Sequence, residues 1–339
     1  MGVDLAGLLT HTPRRLRDFR GKVLAIDAYN ALYQFLAIIR QPDGTPLMDR
    51  RGRVTSHLSG LIYRTSHILQ QGILPIFVFD GAPHPLKLGV LRVRAGIRAR
   101  AEVEWKEARE AGDLERARRK AQQALRLTDP MLESAQELLG LMGVPRIQAP
   151  SDGEAQASHM VRKGEAYATG SQDYDALLFG STRLVKNLAL SGRRKLPRRN
   201  EYITVHIELI HLAENLDSLG ISREQLVDMA LLMGTDFNEG IKGIGPKRAL
   251  KLIREHGDLE AALAAADLDM ENHEEVRRIF LEPDVTDDYD LRWEEPEGSA
   301  IVDFLCGGFD FSEERVRTAV RRLEEGATSR DQSRLDRWA

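Results

Sequence analysis

The stretch Ala149 to Gly180, APSDGEAQASHMVRKGEAYATGSQDYDALLFG, carries two pairs of carboxylates, Asp152/Glu154 and Asp173/Asp175, each spaced i, i+2. Residues two apart share one face of a strand but lie on nearly opposite sides of a helix interior. The first pair precedes the helical pattern AQASHMVRKG and belongs to the turn that leads into it. Two readings stand open there, a cap that favours the helix dipole and a set of metal ligands. The second pair follows the short strand-like run AYATGS and precedes the apolar run ALLFG. Like charges a few ångströms apart repel by on the order of 1 to 4 kcal/mol, and a divalent cation removes that repulsion.

Two more acids close strand-like runs. KVLAIDA places Asp27 at the C-terminal end of a buried strand, and ILPIFVFD ends on Asp80 before the loop GAPHP. An ionised acid at the end of an apolar strand is uncommon without a partner, although a solvated strand end accounts for either one alone. YNALYQFLAIIR and HLSGLIYRTSHILQQG read as helices between those strands, and VPRIQA and RLVKNLAL as further strands. SGRRKLPRRNEYITVHI reads as a basic hairpin leading to a helix. Strands alternating with helices through short connections predict an α/β fold with a mostly parallel sheet covered by helices on both faces.

The 339 residues are 42% hydrophobic and 29% charged, with no apolar run of 18 or more, so no membrane partner is expected. One cysteine, Cys306, excludes an internal disulfide and a cysteine-based zinc cluster. The net charge is only −4, yet residues 81–120 hold 11 Lys/Arg against 6 Asp/Glu. A basic segment beside clustered acids suits a protein that handles a polyanion through metals. From Lys87 to about Arg126 the chain is charged, alanine-rich and helical in spacing. It reads equally as a solvated helix with i, i+4 pairs such as Glu102/Lys106 and Glu115/Arg119, or as an arch facing nucleic acid.

The second half is helical. SREQLVDMALLMGTDF has a Ser N-cap at Ser222 and leads to Asp236 in a polar turn. GIKGIGPKRALKLIREHG follows, with Gly240, Gly243 and Gly245 before a helix start at Pro246. Such a loop can grip a phosphate backbone, and Lys242, Lys247 and Arg248 favour that reading over a mere connecting turn. Pro246 stands where a P-loop has its lysine, which excludes that motif. EPDVTDDYDLRWEEPE, residues 282–297, reads as a solvated acidic loop without function. From Ala327 the composition turns polar, and a disordered tail is expected whose Gln332, Leu335 and Trp338 spell a short partner-binding motif.

IDAYNALYQF, FVFDGAPH, APSDGEAQA, TGSQDYDALLFG, MGTDFNEGIKGIGPKRAL and the QSRLDRW tail, in this order, resemble the flap endonucleases, closest to the archaeal form, from Gly2 to the tail. The resemblance implies a PIN-like 5′ nuclease fold. Residues 1–98 and 129–325 would form the nuclease core, 81–128 the helical arch, about 222–256 a helix-two-turn-helix, and 326–339 the tail. The implied activity is structure-specific 5′ flap and 5′ to 3′ exonuclease hydrolysis of branched duplex DNA in Okazaki fragment maturation and repair. Two Mg²⁺, for which Mn²⁺ can substitute, would sit on Asp27, Asp80, Asp152, Glu154, Asp173, Asp175 and Asp236. The resemblance also places Lys87 and Arg94 at the scissile phosphate and Tyr33 against a terminal base. Gly2 would lie near the cleft phosphates, and Gly240, Gly243, Gly245 and Lys247 would hold downstream duplex with K⁺. The tail would dock on the sliding clamp, proliferating-cell nuclear antigen. A cytoplasmic monomer is expected, nuclear if the source were eukaryotic.

Two positions depart from the family pattern. Asp152 stands where glutamate is usual, and Ala339 replaces the second aromatic of the clamp motif. Two other functions compete with the flap endonuclease: a non-catalytic branched-DNA binder and clamp adaptor, and a related nuclease acting on RNA. No RNA-binding module favours the latter.

Overall fold

The computed structural model describes residues 2–41, 43–188, 192–195 and 202–335. Seven strands form one sheet in the order β1-β9-β6-β5-β2-β3-β4. They are β1 (Thr12–Arg14), β2 (Val23–Asp27), β3 (Leu74–Phe79), β4 (Arg146–Gln148), β5 (Ala168–Gly170), β6 (Arg183–Lys186) and β9 (Ile207–His211). β7 (Gly192–Lys195) and β8 (Tyr202–Val205) pair antiparallel as the expected hairpin. β6, β5, β2, β3 and β4 run parallel, while β9 lies antiparallel to β6 and β1 antiparallel to β9. The mostly parallel α/β sheet predicted from the sequence is present, with β1 and β9 as the unpredicted antiparallel edge.

Alternation along the strands supplies both faces with apolar side chains. Leu24, Ile26, Phe77 and Phe79 point into one core, and Ala25, Ile76 and Val78 into another. The first face is covered by α1 (Ala28–Ile38), α2 (Ser56–Gln70), α5 (Asp129–Leu141), α13 (Gly298–Val302) and α14 (Glu313–Leu335). On the second face α6 (Gly153–Lys163) packs Ala157, Met160 and Val161. Beside it a third cluster joins α7 (Asp175–Leu178), α8 (Leu212–Leu219), α9 (Arg223–Met233), α10 (Pro246–His256), α11 (Leu259–Ala265) and α12 (His273–Leu281). Ser222 caps α9 through a capping box with Gln225, as its sequence predicts. Among the described residues no helix is long and apolar enough to cross a membrane.

α3 (Lys87–Glu110) and α4 (Leu114–Gln123) form a hairpin standing off the sheet. They meet through alanines, with Ala101, Ala108, Ala117 and Ala121 buried, and through Lys120 Nζ on Glu104 at 2.6 Å. The Glu102/Lys106 pair forms at 3.1 Å, as the solvated-helix reading expects.

Two expectations fail. The tail from Ala327, expected to be disordered, continues α14 as helix to Leu335, because the spacing Val316, Val320, Leu323, Ala327 carries the apolar stripe past Gly326 onto α2. Gln332 and Leu335 therefore fall on that helix, while Trp338 lies outside the described residues. The acidic loop 282–297 is not simply solvated. Tyr289, Leu291 and Trp293 pack against the α6 face, Trp293 Nε1 donates to Pro75 O at 3.0 Å, and Gln156 exchanges two hydrogen bonds with Thr286.

Candidate metal centre

All seven acids lie at the C-terminal edge of the parallel strands, where open α/β sheets place their sites. Asp27 is the last residue of β2 and caps α1, its Oδ1 accepting from Asn30 N at 3.0 Å. Asp80 follows β3 and accepts from Gly153 N at 2.7 Å. A Cβ on Gly153 would stand 2.8 Å from that same Asp80 oxygen, so only glycine lets the start of α6 approach. Asp175 begins α7 and accepts from Val3 N at 2.9 Å, which draws Gly2 and the N-terminus into the site. Asp173 is tied by its own N–H to Ser171 Oγ and by its carboxylate to Asn30 Nδ2 at 3.2 Å. Asp236 sits in the turn closed by Thr235 and Asn238 after α9.

Burial and mutual repulsion raise the carboxyls that are most enclosed. Asp27 is pushed well above the usual range by burial and then by Asp80, Asp152 and Asp173. Glu154 rises likewise by burial and by Asp27, Asp173, Asp175 and Asp152. Burial lifts Asp80 to about 6, with Asp152 adding to it and Lys87 opposing. Burial lifts Asp175 to about 7 against the Val3 hydrogen bond, with Asp236 and Asp173 adding to it. These fields link all seven acids into one group.

The donor set fits hard divalent cations. Glu154 Oε1 is buried and has no hydrogen-bond partner, and the acids that act on it, Asp27, Asp173, Asp175 and Asp152, offer oxygen rather than cysteine or imidazole. A buried carboxylate oxygen without a partner is costly unless a cation accepts it. Asp152 is differently engaged. Its Oδ1 caps α6, accepting from Glu154 N and Ala155 N at 2.9 and 3.3 Å, and its Oδ2 accepts from Lys87 Nζ at 2.9 Å. The cap reading of the pair is thus met by Asp152, while Glu154 keeps a buried oxygen without a hydrogen-bond partner.

Above the acids stand the base of α3 and the face of α1. Lys87 is held above the ordinary lysine range, since burial opposes its charge but Asp152 and Asp80 outweigh that. Arg94 makes a two-pronged pair with Asp236, at 3.0 Å from Nη1 to Oδ2. Tyr33 is half-buried, with the Arg98 guanidinium 5.8 Å from its ring centroid. Gly243, Gly245 and Lys247 are exposed at the start of α10 beside Lys242 and Arg248. Gly240 instead packs against the end of α9: a Cβ there would lie 2.2 Å from Gly234 N.

Residues missed from sequence are the ones that hold the acids: Val3, Gly153 and Asn30. Two polar residues one turn apart, Asn30 and Gln34, in a largely apolar helix were the available signal for Asn30. A separate trio, Glu260, His273 and Glu274, brings ligand atoms within 4.8 Å of one another on α11 and α12, but shares no residue with the seven acids.

The XPG N-terminal domain matches residues 1–101 and the XPG I-region residues 143–236, together covering every strand-end acid and Asp236. Flap endonuclease 1 of Methanothrix thermoacetophila is 52% identical over all of this chain and all of its own length. That of Methanothermobacter thermautotrophicus is 51% identical, again over both full lengths. The chain belongs to the flap endonuclease 1 family. The solved flap endonuclease-1 from Methanococcus jannaschii superposes with a TM-score of 0.77 and 42% identity, covering 97% of this chain and 99% of that one. The family fixes the fold as that of XPG-type nucleases and the chain as a nuclease.

Proposed function

We propose that the protein is a structure-specific 5′ flap endonuclease, with 5′ to 3′ exonuclease activity, that hydrolyses DNA phosphodiesters at branched duplex junctions with two Mg²⁺. Seven carboxylates converging on one strand edge, with the Glu154 oxygen left without a partner, carry this reading. Divalent cations bound there supply an activated water and neutralise charge on the leaving oxygen. Asp27, Asp80, Glu154, Asp173, Asp175 and Asp236 would hold them, and Asp152 would act through its cap and its lysine. Lys87 and Arg94, paired with site acids from the base of α3, would meet the scissile phosphate, Tyr33 would offer a ring to a terminal base, and Gly2 lies beside Asp175. Gly243, Gly245 and Lys247 present exposed backbone and positive charge to a duplex phosphate run, where K⁺ could bridge carbonyl and phosphate.

A 5′-labelled flap substrate tests this directly. Cutting in Mg²⁺ and none in EDTA is expected. Cutting that persists in EDTA would defeat the metal mechanism, and binding without cutting in Mg²⁺ would favour a DNA-binding adaptor.

Lys87 and Arg94 each pair with a site acid, and both would exchange that acid for a phosphate when substrate arrives. Replacing both by alanine is expected to lower the slope of log K against log salt by roughly 2, about one per lost phosphate contact. Fluorescence anisotropy across a salt series reads the slope, and an unchanged value would take the arch base out of the substrate path.

The tail would engage the sliding clamp, its motif starting on the last turn of α14. With Ala339 in place of the second aromatic, an Ala339→Phe variant is expected to bind clamp several-fold more tightly in titration calorimetry. Equal affinity rejects that role for the position.

A further inference from the structure

We propose that Asn30 is a positioning residue that fixes the spacing of Asp27 and Asp173, the acids that end neighbouring strands of the sheet. Its backbone N–H donates to Asp27 Oδ1 at 3.0 Å. Its side-chain Nδ2 donates to Asp173 Oδ2 at 3.2 Å. One residue therefore touches an acid after β2 and an acid after β5, two strands that pair directly in parallel register.

The orientation of the Asn30 amide is decided by its other contacts. Oδ1 accepts from the backbone N–H of Gln172 at 3.2 Å, and a backbone N–H can only donate, so the oxygen must face Gln172. The same oxygen accepts from Gln34 Nε2 at 2.6 Å, one helical turn further along α1. With the oxygen held twice, the NH₂ group has to face Asp173. Gln172 precedes Asp173, so the contact grips both the carboxylate and the chain that carries it. Gln34 Oε1 is itself buried without a partner, which shows that its side chain is committed to Asn30 rather than to its own satisfaction.

A donor fixed in this way removes the rotation that would let Asp173 swing away from Asp27 and Glu154. Asn30 is not itself an oxygen donor to the acid group, because its oxygen is spent on Gln172 and Gln34.

The inference rests on the reading of the acids as a divalent-metal site, and the test separates the two. Mg²⁺ is titrated calorimetrically into DNA-free wild-type protein and into Asn30→Ala, with kcat and KM measured on a labelled flap. Wild-type protein that binds no Mg²⁺ defeats the metal reading and this proposal with it. If wild type binds, Asn30→Ala is expected to bind about tenfold more weakly and to lose about 10- to 100-fold in kcat at saturating Mg²⁺. KM for the flap stays within about twofold, since Lys87, Arg94 and the exposed loop before α10 are untouched. Affinity and kcat both within twofold of wild type overturn the proposal, whatever happens to the unfolding temperature. Should Asn30→Ala fail to fold, Asn30→Asp keeps the acceptor toward Gln172 and Gln34 but turns the donor to Asp173 into a repelling carboxylate. A tenfold or larger loss of kcat in that variant supports the role, and a wild-type kcat refutes it.

Discussion

Asp175→Asn is expected to raise the unfolding temperature of the protein in EDTA and to abolish Mg²⁺-dependent cutting. Asp175 is buried, and burial together with Asp236 and Asp173 lifts its carboxyl to about 7. At pH 8 the folded protein carries that charge at a cost of about 1.4 kcal/mol per unit of displacement from an ordinary aspartate, on the order of 4 kcal/mol. Asparagine removes the charge and keeps an oxygen to accept from Val3 N, so the N-terminal segment stays docked. A gain of about 2 to 4 kcal/mol in stability without divalent cations corresponds to roughly 3 to 6 °C for a chain of this size. The same change removes a charged oxygen from the proposed cation site, and a fall of about 10³-fold or more in cutting, roughly 4 kcal/mol of transition-state stabilisation, is expected. Thermal unfolding in EDTA and a labelled-flap assay in Mg²⁺ read the two halves independently. A lower unfolding temperature in EDTA would mean that Asp175 is stabilised as an anion by the protein alone. Such a result would remove the electrostatic argument for a bound cation.

The opposition of stability and activity at Asp175 bears on what the sequence could reveal. Asp27 and Asp80 were legible because each closes a run of β-branched and aromatic residues long enough to be recognised as a buried strand. Asp173 and Asp175 were legible although β5 is only Ala168–Gly170, because the apolar run behind them could not be solvent-facing. The divided roles of Asp152 and Glu154 were not legible. They depend on Lys87 arriving from α3, a neighbour 65 residues away in the chain, to claim the outer Asp152 oxygen. Asn30 was hidden for a similar reason: its partners Gln172 and Asp173 are more than 140 residues away, and no local pattern links them. In the loop 282–297 the spacing Tyr289, Leu291, Trp293 was a strand-like signal, masked by the acid-rich residues around it. At the tail, composition misled where periodicity did not, since Leu323 and Ala327 continue the stripe that packs on α2. β1 escaped notice because three residues including a proline offer neither period nor propensity, and its place is set by pairing with β9.

The metal-free protein is expected to be most stable near pH 5 and to weaken as pH rises to 8, with divalent cations reversing that loss. Asp80 and Asp175 have folded values of about 6 and about 7, above the ordinary aspartate value, and Asp27 and Glu154 are raised as well. A raised carboxyl favours folding while protonated, so its contribution is complete below the unfolded value near 4 and is lost as pH climbs through the folded value. The window of loss therefore runs from about pH 4 to just above 7, steepest near 5 to 6, where the unfolded acids have ionised and the folded ones have not. Glu104, held low by Lys120, and Asp287, held low by Lys163 and His159, act in the opposite sense and lose their contribution as pH falls through their folded values. The balance of the two sets places the maximum between them. A cation bound among the acids takes over the role of the proton, so Mg²⁺ should flatten the decline above pH 6 and release protons on binding there. Urea midpoints at pH 5, 6, 7 and 8, in EDTA and in Mg²⁺, give the first result as two curves that diverge with rising pH. Calorimetric titration of Mg²⁺ at pH 6.5 in two buffers of different ionisation enthalpy gives the second, as a buffer-dependent heat. Parallel midpoint curves, or a heat that ignores the buffer, would show that the buried acids are already ionised and balanced without metal. The raised carboxyls of Asp80 and Asp175 would then be a property of the fold rather than of a site prepared for cations.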